Sequence, residues 1–473
     1  MCSRKIFGSV FLVLTVYLSV SVRLLKRAGT FRPYSATETI TIYLEDVNKI
    51  QTRSKCQLKI YNQPDKNPII KLNPHKFILP VLYNGPTNQL IGLRDTVYLA
   101  ILLNRTVIIP EFHKHLTDTS GQFQAVDGNL RVDIPALSAL VSVVPHSAIS
   151  DHCKNHFDVA FLGQPLTQKH FQVNRASLQH YNVTLSRGKR GQRFNTLLNP
   201  RDQTLKMKPL DLRDYYKTDA KCAMLYYAYR SVDAKETPEM LLKAKEMNLT
   251  DINVSLLPKM DKNLLYSLVA THVHTPEFIS NIAEEFAREV IGTNQYIAVH
   301  WRFDPLDWQR KCRRETTSPI DAMCKQVDNV TGADIVNAAI KHNKYVLKSS
   351  TRPVIYFATP IYRKDLLLSL QSHIRDINQR KGLGVRLYTG LDLQEQLNKY
   401  SVCSELNGNV EDVLASVEME ICAKAKSFMF SKHSSWSAEV LNHRVGHEFA
   451  NFDRDILKAT VEFRKSVLSL KST

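Results

Sequence analysis

The chain has 473 residues, of which 44% are hydrophobic and 23% are charged, and its formal net charge at pH 7 is +18. This length suits two domains with separate cores, and the composition excludes a largely disordered chain. Lysine and arginine are spread along the sequence rather than gathered in a stripe with aromatic residues. The positive charge therefore does not predict a nucleic-acid-binding protein.

The N-terminus has the pattern of a secretory targeting signal. Residues 6–22 (IFGSVFLVLTVYLSVSV) are uncharged and apolar, with basic residues on both sides. A run of about 17 residues is at the lower limit for a membrane span, and the small residues Ser19 and Ser21 would also suit signal-peptidase cleavage. Residues 1–27 are therefore predicted to be a signal peptide or a single-pass anchor, which sends the chain into the lumen of the endoplasmic reticulum or Golgi.

Sequons and cysteines fit a lumenal chain. Five N-x-Ser/Thr triplets are predicted glycosylation sites: Asn104, Asn182, Asn248, Asn253 and Asn329. Seven cysteines follow the leader, so an oxidising lumen predicts disulfides, and the odd number leaves at least one cysteine free or paired with another molecule. Cys312 and Cys324, which would close a short loop, are the best local candidates for a disulfide.

A polar stem precedes the first predicted domain. Residues 28–75 contain scattered prolines and show no sustained periodicity, which is typical of a linker. We assign residues 76–290 to an N-terminal Rossmann-like domain, although residues 111–270 do not reveal their strand order.

The start of this domain reads as strand, loop, helix and strand. An apolar strand ends near Pro80, residues 90–103 have helical spacing, and residues 106–109 form a β-branched run. Asn88 is expected at or near the helix N-cap, where backbone N–H groups converge and favour an anion.

The second half alternates strands with helices. A helix opens at Pro276 and closes at Gly292, as expected for proline in a first turn and glycine after a last one. The strands and helices that follow are predicted at residues 296–299, 354–358, 364–374, 385–388, 410–425 and 428–431. This alternation predicts a parallel sheet and a second Rossmann-like domain, residues 291–473.

The segment 296–308 (YIAVHWRFDPLDW) ends a strand in a charged cluster. Ligands bind at the carboxyl ends of strands in open α/β sheets, and the guanidinium of Arg302 can grip two phosphate oxygens. The alternative is a structural ion pair with Asp304 or Asp307. His300 lies two residues earlier on the same strand face; it is expected to support the site, or else to be a buried histidine bound to a backbone carbonyl.

A second group of candidate binding residues follows the strand at 428–431. Ser434 and Ser435 precede a helix predicted at Ala438–His443, so their hydroxyls and backbone N–H groups would bind a phosphate or simply cap the helix. Trp436 is expected either in the core or stacked on a base or sugar.

The sequence predicts no metal site. The only D-x-D triplet, Asp453 to Asp455, comes late and outside a predicted strand end, and no Walker A, G-x-S-x-G or H-E-x-x-H motif is present. A transferase built on this chain would rely on protein cations.

Three segments in this order resemble the GDP-fucose protein O-fucosyltransferase family. They are YNGPTNQLIGLRDTVYLAILLNRTVIIP from Tyr83, YIAVHWRFDPLDW from Tyr296 and ASVEMEICAKAKSFMFSKHSSWSAEVLNHR from Ala415. The family pattern has G-x-x-N-Q before a helix ending in L-N-R-T, then H-x-R with a nearby D-W, then a Ser-Ser-aromatic element. The resemblance implies an α/β protein of GT-B type, with two Rossmann-like domains facing a central cleft.

The resemblance also implies metal-independent, inverting transfer of fucose from GDP-fucose to Ser or Thr hydroxyls of a lumenal acceptor protein. It implies that the N-terminal domain binds the acceptor and the C-terminal domain binds GDP-fucose. Arg302 matches the arginine on the β-phosphate and Asn88 matches the cleft asparagine. The other positions expected to bind GDP-fucose are His300, Asp307, Glu418, Ser434, Ser435 and Trp436.

No position matches a catalytic base, although Glu111 lies near the first segment. Two other functions stay open. One is transfer to a glycan hydroxyl, as in related fucosyltransferases, and the other is a noncatalytic lumenal protein that binds a sugar nucleotide or a glycoprotein.

Overall fold

The computed structural model describes residues 67–114, 122–162, 166–167, 175–185, 193–209, 218–248, 254–302, 330–347, 352–360, 364–400, 403, 406, 410–432 and 434–471. These residues all belong to one compact unit. The predicted leader, residues 1–27, lies outside them, as does most of the predicted stem.

The strands, in chain order, are β1 (Phe77–Pro80), β2 (Thr106–Ile108), β3 (Phe112–His113), β4 (Ala125–Val126), β5 (Val143–Val144), β6 (Val159–Phe161), β7 (Leu166–Thr167), β8 (Thr184–Leu185), β9 (Arg193–Asn199), β10 (Thr204–Pro209), β11 (Cys222–Leu225), β12 (Ile297–His300), β13 (Val354–Ala358), β14 (Arg386–Thr389), β15 (Ser427–Phe430) and β16 (Arg454–Asp455). The α-helices are α1 (Pro86–Leu103), α2 (Ile134–Leu140), α3 (Ala148–Asp151), α4 (Arg175–His180), α5 (Pro238–Glu246), α6 (Lys262–Ala270), α7 (Glu277–Phe286), α8 (Gly332–Leu347), α9 (Lys364–Lys381), α10 (Gly390–Asn398), α11 (Val410–Lys424), α12 (Ser435–Arg444) and α13 (Ile456–Lys471).

The N-terminal half contains a five-stranded parallel sheet in the order β5-β2-β1-β11-β6. Strand β1 is buried along its whole length, as expected for a central strand covered on both faces. The buried guanidinium of Arg105, in the L-N-R-T segment, donates hydrogen bonds to the carbonyls of Ala220 at 2.8 Å and Thr218 at 2.9 Å, just before β11. The end of the first motif therefore holds β1 and β2 to the segment that precedes β11.

The C-terminal half contains a second parallel sheet, in the order β14-β13-β12-β15-β16. Its central strands β12 and β13 are continuous buried runs, IAVH and VIYFA. Their apolar side chains pack with helices α8 and α9 in a separate core. The two predicted Rossmann-like sheets are thus both present.

The carboxyl edges of the two sheets face each other. Strand β1 leads into helix α1 and strand β15 leads into helix α12, and the first turns of these helices touch through Asn88 and Ser435. Two parallel α/β halves that meet at their carboxyl edges form a GT-B architecture, and the predicted fold class is confirmed.

Several predicted boundaries shift for local reasons. Helix α12 begins at Ser435 rather than Ala438, because the Ser434 hydroxyl accepts a hydrogen bond from the Ser437 backbone N–H and caps the helix. Helix α1 begins at Pro86 after Gly85, so Asn88 lies inside the first turn and not at the N-cap. Hydrogen bonding starts before residue 76, since Ile70 pairs with Leu140 inside the range predicted as stem.

The described part of the chain has no helix long and apolar enough to cross a membrane. The apolar segment 6–22 lies outside that part. Cys153 and Cys222 form a disulfide with a Cα separation of 5.8 Å, and Cys403 is also disulfide-bonded. Cys422 is a buried free thiol, in line with the odd number of cysteines. The predicted pair Cys312 and Cys324 lies outside the described residues.

Candidate functional site

The side chain of Gln89 fixes the loop before helix α1 through hydrogen bonds. This fully buried side chain donates to the carbonyls of Asn84 at 2.7 Å and His113 at 2.8 Å, and its oxygen accepts the His113 backbone N–H at 3.0 Å. A buried amide with its donors and acceptor satisfied fixes the backbone around it. The neighbouring Asn88 is thereby presented toward the C-terminal half.

Asn88 and Ser435 join the two halves of the chain. The Ser435 hydroxyl donates a hydrogen bond of 2.8 Å to Asn88 Oδ1, across 347 residues of sequence. Both side chains are half-buried. The first and third sequence motifs are therefore in direct contact.

Arg302 follows the end of β12, where hydroxyl groups tie two neighbouring strands together. The Ser431 hydroxyl, just beyond β15, donates to the His300 carbonyl at 2.6 Å and accepts the Arg302 backbone N–H at 2.9 Å. The Ser431 N–H in turn donates to the Ser437 hydroxyl of helix α12 at 3.1 Å. This network places the backbone of Arg302 beside the first turn of α12, so the second and third motifs also converge.

His300 is a buried, neutral member of this network. Its Nδ1 lies 2.7 Å from the Ser437 hydroxyl, which already accepts from Ser431, so we assign the hydroxyl proton to the Nδ1 contact and the ring proton to Nε2. Burial and the nearby charge of Arg302 lower the pKa of His300 to about 3. The partner is a side-chain hydroxyl and not the backbone carbonyl considered from sequence. A neutral imidazole here can donate a hydrogen bond but cannot supply positive charge.

Trp436 packs beside His300, with ring centroids 4.3 Å apart. Its indole N–H donates to the Ala415 carbonyl of helix α11 at 3.3 Å, and the side chain remains partly exposed. The ring is thus fixed in place and retains an accessible portion.

Glu418 lies on helix α11 as a partly exposed side chain. Its carboxylate accepts a hydrogen bond from the buried Tyr356 hydroxyl at 3.0 Å. Although the side chain keeps some accessible surface, its carboxyl group is surrounded enough that burial raises its pKa to about 8, while the Tyr356 hydrogen bond opposes the rise. The carboxyl group is therefore held by Tyr356 and is not a freely solvated group on the helix surface.

A charged cluster lies further along helices α1 and α12. Arg94 donates to both carboxylate oxygens of Glu439, at 2.7 and 2.6 Å, and also to Glu236 at 3.0 Å. His443 lies between Glu420 at 3.1 Å and Glu439 at 3.3 Å. Burial alone would lower the pKa of His443, but these two carboxylates raise it to about 10.

The charged cluster borders a cavity of about 650 Å³. The residues that line this cavity do not include Asn88, Arg302 or Ser435. We therefore treat it as separate from the candidate site at the strand ends.

Arg131 is a residue that sequence reasoning missed. It is 5% exposed, and its Nε and Nη1 have no hydrogen-bond partner among the described residues. Burial lowers its pKa to about 10, and the charge of Asp412 on helix α11 opposes that shift. A buried arginine with unsatisfied donors is costly unless an anion completes it. The signal in the sequence was a lone arginine between Leu130 and Val132.

The D-x-D segment is structural. Asp453 accepts two hydrogen bonds of 2.7 Å from the buried Arg444 and one of 2.8 Å from the Phe428 N–H. Asp455 belongs to the edge strand β16, so the segment does lie next to a strand, unlike the sequence expectation. With Asp453 engaged by a cation, the segment offers no free carboxylate pair.

The remaining predicted residues divide by location. Asp304, Asp307, Asn253 and Asn329 lie outside the described residues. The asparagines of the other three predicted glycosylation sites, Asn104, Asn182 and Asn248, are exposed. The carboxylate of Glu111 contacts His180 and lies 3.7 Å from His146.

No protein-family model matches the chain, and no curated protein matches it either. Among solved structures, POFUT1 in complex with GDP is 12% identical, with a TM-score of 0.47, over 79% of this chain and 95% of that one. A mutant of FUT1 from Arabidopsis thaliana in complex with GDP is 10% identical, with a TM-score of 0.36, over 87% and 79% of the two chains. The fucosyltransferase NodZ from Bradyrhizobium is 11% identical, with a TM-score of 0.32, over 78% and 93%. These are distant likenesses in shape.

Proposed function

We propose that this chain is a fucosyltransferase that transfers fucose from GDP-fucose to Ser or Thr hydroxyls of proteins in the secretory pathway. The observation that carries the proposal is the Ser435–Asn88 hydrogen bond, together with the hydroxyl network that places Arg302 beside helix α12. Three motifs that resemble one transferase family thus converge at facing strand ends, where α/β folds bind nucleotides. The N-terminal half would hold the acceptor and the C-terminal half the donor.

The proposed donor contacts follow from charge and hydrogen bonding. Helix α12 begins at Ser435 and is capped by Ser434, so the backbone N–H groups of its first turn and these two hydroxyls would bind phosphate oxygens. The Ser435 hydroxyl has a single proton, which it donates to Asn88 in the free protein and would redirect to the phosphate on binding. Arg302 would neutralise the charge that develops on the β-phosphate, and Arg131 is a second guanidinium available to an anion at the boundary of the halves. Trp436 offers its accessible ring face to the base or sugar.

The proposed reaction is a single displacement at the anomeric carbon of fucose. The acceptor oxygen forms a bond to that carbon as the bond to the β-phosphate oxygen breaks, GDP leaves with the bonding electrons, and the acceptor hydroxyl releases its proton to water. Protein cations and helix N–H groups would take the place of a metal ion at the diphosphate. Because the leaving group departs early, the acceptor proton can be lost late, which lowers the demand on a catalytic base.

The proposed location is the lumen of the endoplasmic reticulum or Golgi. Residues 1–27 would act as a signal peptide or anchor and the following polar residues as a stem. The described disulfides are typical of an oxidising compartment and support this location.

The decisive experiment incubates the purified full-length chain with labelled GDP-fucose and a panel of folded cysteine-rich domains and free glycans. We expect label on a protein hydroxyl, and loss of that label in Arg302→Ala but not in Arg375→Ala, which removes an exposed arginine from helix α9. Labelling of free glycans alone would favour a glycan-directed transferase. GDP binding without turnover on any acceptor would favour a noncatalytic binder. Equal activity of Arg302→Ala and the parent chain would exclude the proposed role of Arg302.

A further inference from the structure

Two histidines and a glutamate converge on the N-terminal half. One carboxylate oxygen of Glu111 and one ring nitrogen each of His146 and His180 all lie within 4.8 Å of one another. Glu111 Oε2 contacts His180 Nε2 and is 3.7 Å from His146 Nε2. The residues are up to 69 positions apart, so no local spacing in the sequence predicts the cluster.

The sheet itself brings two of these side chains together. Strands β2 and β5 are parallel neighbours, and the Ile109 N–H donates to the Val144 carbonyl at 2.9 Å at the end of their pairing. Glu111 and His146 each come two residues further on, and each directly follows a proline that cannot continue the pairing. Both side chains therefore emerge at the same carboxyl edge of the sheet.

His180 is supplied by a third element and is held by aromatic packing. It ends helix α4, and the ring of Phe123 stacks on the imidazole with centroids 4.0 Å apart and planes within 13°. The adjacent buried ring of Tyr181 contacts both histidines, with centroids 5.1 Å from His180 and 5.9 Å from His146. An apolar shell of this kind orients the imidazoles on one side and leaves the other side open.

The chemistry of the three groups matches a transition-metal site. Two imidazoles and one carboxylate are a common ligand set for zinc, whereas magnesium and calcium prefer oxygen ligands alone. Ligand atoms about 2.0–2.1 Å from a tetrahedral zinc ion are roughly 3.3 Å apart. The Glu111–His146 separation of 3.7 Å is close to that value, and small rotations would bring His180 into the same geometry.

The cluster is also reachable from solvent. Each of the three side chains is about one-third exposed: 34% for Glu111, 35% for His146 and 32% for His180. Both histidines border a cavity of about 120 Å³. This volume exceeds the roughly 30 Å³ that a water molecule occupies, so a fourth ligand has room beside the histidines.

We propose that Glu111, His146 and His180 bind one zinc ion, with a water molecule in the fourth position. This site is distinct from the proposed donor contacts at Arg302, Ser434 and Ser435, and it does not depend on the proposed transferase activity. The ion would link the ends of β2 and β5 to helix α4 at the edge of the sheet that faces the cleft.

The test measures metal binding by the purified full-length chain after treatment with a chelator. Titration with zinc chloride in a calorimeter is expected to give one bound ion per chain, and cobalt chloride is expected to give the visible absorption bands of a four-coordinate ion. His146→Ala and His180→Ala should each weaken zinc binding by more than about 100-fold. His75→Ala, which removes an exposed histidine elsewhere in the same half, should bind zinc as the parent chain does.

Thermal unfolding provides a second measurement that does not require activity. Zinc should raise the unfolding temperature of the parent chain and of His75→Ala, but not that of His146→Ala or His180→Ala, because only an ion bound to the folded state stabilises it. Without metal, the four proteins should unfold at similar temperatures, which shows that the variants fold. The proposal is overturned if zinc binds only at millimolar concentration, or if both cluster variants bind it as tightly as the parent.

Discussion

The Ser435 hydroxyl donates to Asn88 Oδ1 at 2.8 Å, so a serine from the last third of the chain and an asparagine from the first motif share one hydrogen bond. We expect Ser435→Ala to weaken GDP binding by about 10- to 100-fold, because a hydrogen bond to a charged phosphate is worth about 1.5–3 kcal/mol. A double-mutant cycle with Asn88→Ala, measured as kcat/KM for fucose transfer, should show effects that are not additive, since the two side chains are in contact. Additive effects would mean that the hydrogen bond plays no part in turnover.

Ser431 is predicted to be a positioning residue for Arg302. Ser431→Ala removes the acceptor of the Arg302 backbone N–H and should cost about 1–3 kcal/mol in the free energy of unfolding. It should also lower kcat more than it raises KM, because Arg302 is displaced from the developing charge. The matched control is Ser427→Ala at the start of β15, which removes an equally buried hydroxyl that donates to the Phe452 carbonyl. We expect a similar loss of stability there with kcat unchanged; equal kcat for both variants would refute the positioning role.

The raised pKa of Glu418 predicts that nucleotide binding depends on pH. Its pKa of about 8 means that the free protein carries a largely protonated carboxyl at neutral pH. If the carboxylate pairs with guanine N–H groups, binding requires the ionised form. GDP affinity should then rise from pH 6 to pH 8, by up to about tenfold per pH unit, and level off above the pKa.

The control for this measurement is Glu418→Gln, which cannot ionise. The difference between the two proteins in calorimetric titrations isolates Glu418 from the ionisation of GDP itself. Parallel pH profiles for the parent chain and the glutamine variant would show that Glu418 does not contact the base.

The buried Arg94–Glu439 pair predicts a large effect on stability. Arg94→Ala leaves the buried carboxylate of Glu236 without its cation and that of Glu439 with His443 alone, and should lower the free energy of unfolding by about 3–5 kcal/mol. The double variant Arg94→Met with Glu439→Leu removes the charges of this pair and should recover part of that loss, because Glu236 still lacks the arginine in both variants. Denaturant unfolding measures both; a double variant less stable than the single one would contradict this account.

We expect the substitution of Arg131 to stabilise the free protein and to weaken GDP binding. Arg131→Met removes a buried, unsatisfied guanidinium and should stabilise the free protein by about 1–3 kcal/mol, while GDP binding weakens. Arg105→Met is a control with the opposite expected sign. The buried guanidinium of Arg105 has carbonyl partners, so its loss should lower the free energy of unfolding. If Arg131→Met binds GDP as the parent does, Arg131 is not an anion contact.

Local pattern predicted strands β1, β2 and β12–β15, but not the strands between residues 111 and 270 or the contacts that link distant segments. Strand β13 was predicted at its observed bounds because a buried parallel strand is a continuous apolar run. The start of α12 was placed three residues too late, since capping by Ser434 extends a helix beyond its apolar pattern. The disulfide Cys153–Cys222 closes 69 residues, and connectivity over such a distance is not encoded in spacing.

The same limit explains the missed charged residues. Arg94 and Glu439 are 345 positions apart, and Arg131 interacts with Asp412 on the other half of the chain. Such partners are fixed only once two sheets have folded and docked. By contrast, the positions of Arg302 and Ser434 near the ends of β12 and β15 could be predicted from the apolar strands that precede them, and strand ends bind ligands in this class of fold. Their roles stay predictions.

Helices α1 and α12 meet at two points, Asn88 with Ser435 and Arg94 with Glu439. The two contact residues on α12 are about one helical turn apart, about 6 Å along the helix axis. A widening of the cleft that pulls these helices apart must break a buried ion pair as well as a hydrogen bond at the proposed phosphate site. Separation of the two helices and release of the proposed donor would therefore be coupled.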